Sequence, residues 1–485
     1  MVWGEMVIWD LVVVTARTAQ QRWLFERYLG QCWSAPDAPR HLVLQDPPGP
    51  QLGTAGATVH ALCVAAQQLG ESFRNRRVLI LHCGGLSQRV PQLSHLGKAF
   101  APAAARDNDA TLFAQIVAEL DRLFRSMEPG AVIACGDVLY TASSLGALCR
   151  RDEALAVACR ASPEQGSRHG VYLWEPGQDR VSESWQKPPL ERLRALDAGQ
   201  PWGLDTGILF LGARVVEELL RAVGAASFAA APAAFLQRKR EWLGVELYRD
   251  LTPPMTPAWR EAQRRRGAPG EAQRALSRFP LRLACPDAAE LLHFGTNEEL
   301  IRILGAGGAP RIYSSYIVSG DLGPGAVLDR CLAQGPITVG AGSYVSGLSQ
   351  SRRELTIAAG RVVYQVPLRA PLGPGRCAQV LVTLGVGDNT KQHPEQGATL
   401  LGEPLKAWLR ELGVSPEAVW EGVPAPERSL WNARLFPVGE VARVEDAMRN
   451  NGTPMMHERI SSPNGHDTFL IDYDLITPAV RSFLA

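Results

Sequence analysis

The sequence predicts an α/β protein: a doubly wound, Rossmann-like domain, then a short left-handed parallel β-helix and a C-terminal β-rich region. Two observations predict this fold class. Short apolar runs alternate with segments of helical periodicity over the first 308 residues, and hexapeptide spacing follows after residue 308. We therefore expect a first domain over 1–308 with a helical insertion at about 225–275, the β-helix over 309–370, and the β-rich region over 371–485.

The expected sheet is built from apolar runs that end at turn-forming or polar residues. The predicted strands are 11–15, 42–44, 78–82, 131–135, 171–174 and 208–211, and the predicted helices between them include 17–29, 59–73 and 112–124. Strands and helices in this alternation favour right-handed crossovers and a largely parallel sheet. Ligands of such sheets lie at the carboxyl ends of the strands, where Gly84, Gly85 and Asp137 fall.

The hexapeptide pattern predicts the β-helix. Leu322–Val327 and Val339–Tyr344 both read aliphatic-Gly-x-x-small-x, and the two hexads start 17 residues apart. Three hexads form one turn, so this spacing is close to one rung. Before it, Thr296 and Glu299 fit a capping box, and after it a helix is expected near residues 405–412.

Composition excludes several classes of protein. With 485 residues, a net charge of +1 and a pI of about 7.6, the chain offers no charge argument for nucleic acid or a membrane as partner. Nine cysteines, an odd number without a Cys-x-x-Cys pair, read as reduced core residues. We expect a cytoplasmic protein.

One stretch carries the recognisable chemistry. It reads Gly84-Gly85-Leu86-Ser87-Gln88-Arg89-Val90-Pro91, with Gly97-Lys98 a few residues later. Two glycines let the backbone approach a ligand, and Arg89 and Lys98 supply the positive charge that an anionic ligand requires. A glycine turn with nearby Arg and Lys is also common on protein surfaces. The chain has 45 arginines and only five lysines, so a lysine inside this motif indicates that a compact point charge is needed.

Further stretches accompany this motif in chain order. They are Asp46-Pro47-Pro48-Gly49 with the Gly53–Thr58 loop, Leu204–Ile208, His293–Thr296, the hexads, and Ala433–Val438. Together, over nearly all of the sequence, they resemble the fucose-1-phosphate guanylyltransferases, including the pyrophosphorylase half of bifunctional fucokinase/GDP-fucose pyrophosphorylases. The loop at 53–56 departs from the family's usual Gly-Ser-Gly-Gly, because Thr54 and Ala55 are bulkier.

The resemblance implies a sugar-1-phosphate guanylyltransferase of nucleotide-sugar biosynthesis. It would join GTP and β-L-fucose 1-phosphate to give GDP-fucose and pyrophosphate. Arg89 and Lys98 would act on the triphosphate as catalytic residues. The nucleotide would be bound by Gly53, Gly56, Thr58, Gly84, Gly85 and Ser87.

The resemblance also implies a metal site and a sugar-phosphate site. Asp137 and Asp205 would hold Mg²⁺, with Mn²⁺ as an alternative, since hard carboxylate oxygens suit these ions. Lys187, which precedes a proline, would bind the sugar-linked phosphate, and His169 would contact the sugar. A homo-oligomer and a separate or fused fucokinase are the expected partners.

Other functions remain open at this stage. The same chemistry on heptose, mannose or arabinose 1-phosphate is an alternative. A non-catalytic regulatory homologue is another, but the residues whose loss would mark it, Asp137, Asp205, Arg89 and Lys98, are all present. A hexapeptide acyltransferase is disfavoured by too few rungs and no evident catalytic histidine among them. Gly53 and Gly56 also suggest a dinucleotide oxidoreductase, but no acidic ribose ligand follows about 20 residues later at a strand end.

Overall fold

The computed structural model describes most of the chain outside the two termini. The described residues are 7–33, 38–94, 96–103, 111–196, 199–263, 269–350, 354–373, 376–411, 413–436 and 438–439. Contacts divide the chain into two compact units: residues 1–86 with 112–292, and residues 87–111 with 293–485. None of the helices within the described ranges is long and apolar enough to cross a membrane.

The first unit contains eleven strands and nine helices among its described residues. The strands are β1 Leu11–Ala16, β2 His41–Gln45, β3 Arg77–His82, β4 Gly130–Cys135, β5 Val138–Thr141, β6 Ala154–Cys159, β7 Gly170–Trp174, β8 Val181–Gln186, β9 Trp202–Gly212, β10 Leu281–Ala284 and β11 Glu290–His293. The helices are α1 Ala19–Cys32, α2 Thr54–Leu69, α3 Leu112–Phe124, α4 Pro163–Gly166, α5 Leu190–Arg194, α6 Ala213–Ala222, α7 Ala231–Gln237, α8 Pro257–Gln263 and α9 Glu271–Leu276. A π-helix, Leu247–Leu251, lies in the insertion.

A mixed sheet forms the centre of this unit, in the order β10-β6-β9-β4-β3-β1-β2. β1 is parallel to both β2 and β3, and β3 is parallel to β4, as the apolar runs predict; every residue of β1 is buried. β9 runs antiparallel to both β4 and β6, and β7 with β8 extends the sheet beside it as an antiparallel hairpin. Strand β9 begins at Trp202, six residues before the start that the apolar run predicts.

The second unit is built on stacked parallel strands. Its described elements are β12 Arg311–Tyr313, β13 Tyr316–Leu322, β14 Val327–Asp329, β15 Leu332–Val339, β16 Tyr344–Ser346, β17 Ser349–Gln350, β18 Leu355–Ile357, β19 Arg361–Gly373, β20 Arg376–Gly385, β21 Thr399–Leu400, β22 Glu403–Pro404, β23 Val438–Gly439, α10 Asn297–Leu304, α11 Leu405–Glu411 and α12 Pro416–Val419. The expected capping box is present at the start of α10, where Thr296 and Glu299 bond reciprocally.

Parallel pairing produces rungs close to the spacing that the hexads predict. Val327 pairs with Arg311 on one side and Tyr344 on the other, and Tyr344 pairs in turn with Val362. Apolar side chains such as Leu328, Val345 and Val363 fill the interior of the stack. These inward residues explain why the hexad pattern repeats: each occupies the same position in successive rungs.

The structural division differs from the predicted domain boundaries. Residues 87–111 follow strand β3 in the chain but belong to the second unit, as does α10. Side-chain hydrogen bonds explain this placement. The Gln92 amide donates to the Asn297 carbonyl oxygen at 2.9 Å, and the Thr390 hydroxyl donates to the Gln88 carbonyl.

Among its described residues, the region after the stack contains one long hairpin and few other strands. β19 and β20 form an antiparallel hairpin, but among described residues from 386 to 436 only the two-residue strands β21 and β22 occur. Short helices and 3-10 turns take their place, two of them starting at a proline. Residues 440–485 lie outside the described part.

Candidate functional site

In the first unit, the two candidate metal ligands lie close to one end of the sheet, one just after a strand and the other on the strand beside it. Asp137 follows the carboxyl end of β4 by two residues, and Asp205 lies on β9, the antiparallel partner of β4. Continuing the pairing of Ile133 with Leu209 places Cys135 beside Gly207. Consistent with this, a Cβ built on Gly207 would lie 3.0 Å from the Cys135 Sγ. The register therefore brings both carboxylates to the same edge.

A β-bulge aims the side chain of Asp205. The pairing of β9 with β6 shifts register between Val157 and Ala158, opposite the Asp-Thr-Gly sequence. Gly207 has φ +72°, which a residue with a side chain rarely adopts, and its N–H donates to the Asp205 Oδ1 at 2.9 Å. The Thr206 hydroxyl fixes the bulge by donating to the Val157 carbonyl at 2.7 Å. Bulges of this kind commonly re-aim side chains beside active sites.

The surroundings of Asp205 disfavour its charged form. Burial raises the pKa of the Asp205 carboxyl to about 6, although the Gly207 N–H and the nearby Tyr172 hydroxyl favour the carboxylate. Tyr248 contributes a second wall, because its hydroxyl donates to the Gly207 carbonyl at 2.7 Å. Tyr248 lies on the π-helix Leu247–Leu251 of the insertion, a rare element that often marks functional sites.

The candidate sugar-phosphate residues lie beside Asp205 on the β7–β8 hairpin. His169 precedes β7 and Lys187 follows β8, and the Lys187 N–H donates to the His169 carbonyl at 2.9 Å. A Cβ built on Gly170, next to His169, would lie 3.1 Å from the Asp205 Oδ2. Lys187 is exposed and has φ +47°, a strained conformation for a lysine. Asp137, Asp205, His169 and Lys187 therefore share one edge of the first unit.

The glycine-rich loop at 53–58 opens helix α2, but the insertion covers that helix start. The Ala55 N–H donates to the Val245 carbonyl at 3.0 Å, and the Thr54 hydroxyl donates to the Glu246 carboxylate at 2.6 Å. A Cβ on Gly53 would lie 2.0 Å from the Val245 oxygen, so the glycine is required for this close approach. The first N–H groups of α2 are thus satisfied within the protein.

Thr58 is engaged in a buried polar cluster. Its hydroxyl is 2.8 Å from both the Thr54 carbonyl and the His82 Nε2, while Thr15 lies 3.4 Å from the His82 Nδ1. Burial lowers the pKa of His82 to about 4, so the ring is neutral at neutral pH. This cluster ties α2 to strands β1 and β3 beneath the candidate site.

The two motif glycines of the first unit differ in their surroundings. A Cβ on Gly84 would lie 3.0 Å from the Arg17 nitrogen at the end of β1, whereas nothing lies within 4 Å of one built on Gly85. Gly85 is exposed, and its carbonyl accepts from the Gln21 amide at 3.2 Å. The backbone at Gly85 is therefore open to a ligand, while Gly84 packs against β1.

Charged side chains surround the neighbouring Asp46-Pro47-Pro48 turn. The Lys239 ammonium donates to the carbonyls of Pro47 and Pro48, so this lysine of the insertion holds the turn. Burial raises the pKa of Asp46, and the charges of Arg17 and Lys239 act in the opposite direction. The sequence gives no site role to Arg17 or Lys239, because neither lies in a motif.

In the second unit, a buried hydrogen bond anchors the loop that carries Ser87, Arg89 and Lys98. Ser87 is buried with φ +53°, Arg89 is exposed, and Lys98 is half-buried at the start of a 3-10 turn. Gln92 and Asn297, both buried, anchor the loop through their amides. The cations of the motif thus stand on a loop fixed by buried hydrogen bonds.

Several supporting residues were missed by sequence reasoning. They are Tyr172, Tyr248, Lys239, Asn297 and Thr390. Asn297 adjoins the His-Phe-Gly-Thr stretch and Lys239 is one of the five lysines, so both carried a signal in the sequence. Tyr172, Tyr248 and Thr390 carried none, because their contacts are long-range.

The chain belongs to the fucose pyrophosphorylase domain family, whose model matches residues 70–440. This match spans the motif loop, both candidate carboxylates and the stacked rungs, and it confirms the resemblance that the motifs predict.

Two curated relatives extend this comparison. The chain is 27% identical over 507 aligned positions to a bifunctional fucokinase/GDP-fucose pyrophosphorylase of Arabidopsis thaliana, covering 89% of the chain and 47% of that protein. It is 28% identical over 178 positions to the human fucose-1-phosphate guanylyltransferase, covering 35% of the chain and 29% of that protein. The chain thus spans about half the length of the first relative and 29% of the length of the second.

Among solved structures, the chain matches a nucleoside-diphosphate-sugar pyrophosphorylase of Vibrio cholerae. The two are 10% identical, with a TM-score of 0.25 and coverage of 61% of this chain and 99% of the other.

Proposed function

We propose that this chain joins GTP and β-L-fucose 1-phosphate to give GDP-fucose and pyrophosphate. The family match over residues 70–440 is the observation that carries the proposal. The relatives' names supply guanine and fucose, and the motif supplies the means of binding a triphosphate. A fucokinase, separate or fused, is the corresponding partner, because it would supply the sugar 1-phosphate.

The reaction is an in-line displacement at phosphorus. An oxygen of the sugar phosphate attacks the α-phosphorus of GTP, and the bond from that phosphorus to the bridging oxygen breaks, releasing pyrophosphate. The protein needs to position the reactants and neutralise charge rather than form bonds itself. Arg89 and Lys98 would neutralise the triphosphate, with Gly85 and Ser87 contributing backbone at the same loop.

Lys187 would hold the phosphate of the sugar 1-phosphate, and His169 would contact the sugar. Both lie at the same edge as Asp205, and Lys187 is exposed where a ligand can reach it. The backbone of Lys187 has a positive φ, which is strained for a lysine. The hydrogen bond from its N–H to the His169 carbonyl stabilises this conformation and so orients the side chain.

Asp137 and Asp205 fit a divalent metal, Mg²⁺ or alternatively Mn²⁺. Among the residues that the structure describes, no group of three or more His, Cys, Asp or Glu side chains could hold a metal ion by itself. Proteins usually bind Mg²⁺ through one or two carboxylates, and substrate phosphates and water complete the coordination of the ion. The raised pKa of Asp205 fits as well. Burial disfavours its charged form, and a cation beside the carboxylate would offset that effect. When bound, the ion would withdraw charge from the phosphates.

The finer architecture belongs to the same proposal. We infer left-handed winding of the rungs from the hexads, and a doubly wound arrangement of helices around the parallel strands. We place the enzyme in the cytoplasm, where its nucleotide substrate is available.

A pyrophosphate-release panel tests the proposal. Four nucleoside triphosphates are each paired with fucose, mannose, heptose and glucose 1-phosphates, with Mg²⁺ and with excess chelator. GTP with fucose 1-phosphate should be preferred, and the chelator should abolish release. A preference of about 100-fold for another sugar would reassign the substrate. No release with any pair would favour a regulatory homologue.

A further inference from the structure

The second unit contains an open groove of about 790 Å³ beside the motif loop. Its lining combines Gln88 of the motif with two later segments of the chain. The lining residues are Gln88, Lys391, His393, Glu395, Gln396, Pro426, Glu427, Arg428, Ser429, Trp431 and Asn432. This volume lies in the range of small-molecule sites.

The first wall is fixed by a buried carboxylate. Asp388 is 3% exposed and accepts from the N–H groups of Gly385, Leu401 and Gly402 at 2.7, 2.6 and 3.1 Å. It also accepts from the Thr399 hydroxyl at 2.7 Å. Two residues later, Thr390 bonds to the Gln88 carbonyl. The segment that carries Lys391 is therefore held against the motif loop.

The second wall is joined to the first through a histidine. The His393 Nε2 lies 2.8 Å from the Ala425 carbonyl, and the Nδ1 accepts from the Glu395 N–H at 3.1 Å. A carbonyl only accepts and a backbone N–H only donates, so these contacts place a ring proton on Nε2 and leave Nδ1 as the acceptor. The Trp431 N–H also donates to the Thr390 carbonyl at 2.7 Å.

Some of the lining side chains already form hydrogen bonds or ion pairs within the protein, and others do not. Glu395 pairs with Lys406, Arg428 lies 3.6 Å from Glu417, and both the oxygen and the nitrogen of the Asn432 amide bond to backbone. In contrast, the side chains of Gln88, Lys391, Gln396 and Glu427 form no hydrogen bond or ion pair with any other described residue. Together they offer one ammonium, one carboxylate and two amides to a ligand.

We propose that this groove is a second site for a phosphorylated sugar ring, in addition to the one assigned to Lys187 and His169, with Lys391 on the phosphate and Gln88, Gln396 and Glu427 on the hydroxyls. Amides donate to and accept from hydroxyls and a carboxylate accepts from them, whereas an ammonium favours phosphate. The choice of fucose 1-phosphate as ligand rests on the proposed function; the ribose phosphate of GTP shares this chemistry and is the other source.

The identity of the cation supports this assignment. Arginine is nine times as frequent as lysine in this chain, yet lysine stands in the groove at position 391. Lysine presents a compact charge on a flexible stem, while arginine presents a planar fork. Lysine therefore suits a groove in which the position of the phosphate is not fixed.

Direct binding tests the proposal without requiring turnover. Isothermal titration of the full chain is carried out with fucose 1-phosphate, free fucose, GTP and pyrophosphate. Fucose 1-phosphate should show two binding events, and Lys391→Met should weaken one of them by about tenfold or more, the scale of one charge-assisted hydrogen bond. Lys391→Arg should restore part of the affinity, and Glu427→Gln should weaken fucose and its phosphate alike.

Arg410→Met is the matched control, because it removes one cation from helix α11 of the same unit, outside the groove lining. It should leave each affinity unchanged, and melting temperatures verify that every variant folds. A loss for GTP rather than fucose 1-phosphate would support the groove and identify the ribose phosphate as its ligand.

Unchanged affinities for all phosphorylated probes in Lys391→Met, or equal losses in Arg410→Met, would overturn the proposal. Failure of the proposed function is a separate result: intact binding of fucose 1-phosphate with no pyrophosphate release would remove the reaction and retain the groove.

Discussion

Lys98 is the residue whose charge the proposed transfer depends on most directly. It stands on a loop anchored by buried amides, so its position is set before a ligand arrives. Preorganised charge of this kind stabilises a transition state because no reorganisation is needed during the reaction.

Replacing Lys98 with Ala should lower kcat/KM by about 100-fold or more, the scale of losing one preorganised contact. Arg22→Ala is the control, since Arg22 lies on α1 in an exposed pair with Glu26. Steady-state kinetics on both variants measure the change in kcat/KM. Similar losses in the two would show that general charge, not position, matters.

His82 links pH to the stability of the first unit. Its pKa is lowered from 6.5 to about 4 by burial. Between these values the unfolded chain binds a proton that the folded chain does not. The stability that His82 contributes is therefore complete above pH 6.5 and is lost as pH falls toward about 4.

His82→Gln should remove this dependence while keeping a polar group between Thr58 and Thr15. The free energy of unfolding of the wild type should approach that of the variant by up to about 2 kcal/mol between about pH 7 and pH 5. Urea unfolding at the two pH values measures the difference. An equal gap at both would exclude His82 as the titrating group.

At the scale of elements, the insertion packs onto the glycine-rich loop. Val245 and Glu246 satisfy the first N–H groups of α2, and Lys239 holds the preceding turn. The helix start that sequence reasoning offers to a nucleotide is thus partly occupied by the protein itself. This close approach sets a strict size limit at Gly53.

Gly53→Ala should destabilise the protein by about 1–3 kcal/mol, the usual cost of overpacking, because its Cβ would overlap the Val245 oxygen. Gly30→Ala is the matched control: it lies in α1 with nothing within 4 Å of an added Cβ. That change should stabilise by about 0.5–1 kcal/mol. Denaturant unfolding of both variants tests the packing; destabilisation by both would contradict it.

The elements that could be predicted from the sequence are those whose signal is local. β1, β3 and α3 follow directly from apolar runs and helical spacing, and the rungs follow from the hexads. The bulge at Asp205 was not predictable as part of β9, since Asp-Thr-Gly also suits a turn. Its strand pairing with β6 decides the outcome.

The supports of the site were beyond sequence reasoning for a physical reason. Gln92 and Asn297 are separated by 205 positions, and Gln88 and Thr390 by 302. No local pattern encodes such pairs, because each depends on the folded position of both partners. The same contacts explain why residues 87–111 leave the predicted first domain.

For the whole molecule, the exposed apolar side chains point to self-association. Ile312, Tyr316, Val318 and Leu332 are 40%, 65%, 58% and 41% exposed, and they lie on the first rungs of the stack. β13 is also an edge strand of its sheet. Exposed edges with apolar side chains favour pairing with another chain.

We therefore expect a homo-oligomer. Light scattering at micromolar concentration should give a multiple of the 52.6 kDa chain mass, and Val318→Lys should shift the mass toward the monomer by placing charge on the edge. Trp23→Lys, on the exposed face of α1, is the control and should leave the mass unchanged. A monomer mass for the wild type would end this prediction.

The proposed reaction moves a guanylyl group from GTP to a sugar phosphate. GTP labelled at the α-phosphorus, incubated with fucose 1-phosphate and Mg²⁺, follows that group directly. We predict label in GDP-fucose and none in pyrophosphate, since attack at the α-phosphorus leaves the β- and γ-phosphates together. Label that stays in GTP, or that leaves as inorganic phosphate, would contradict the account.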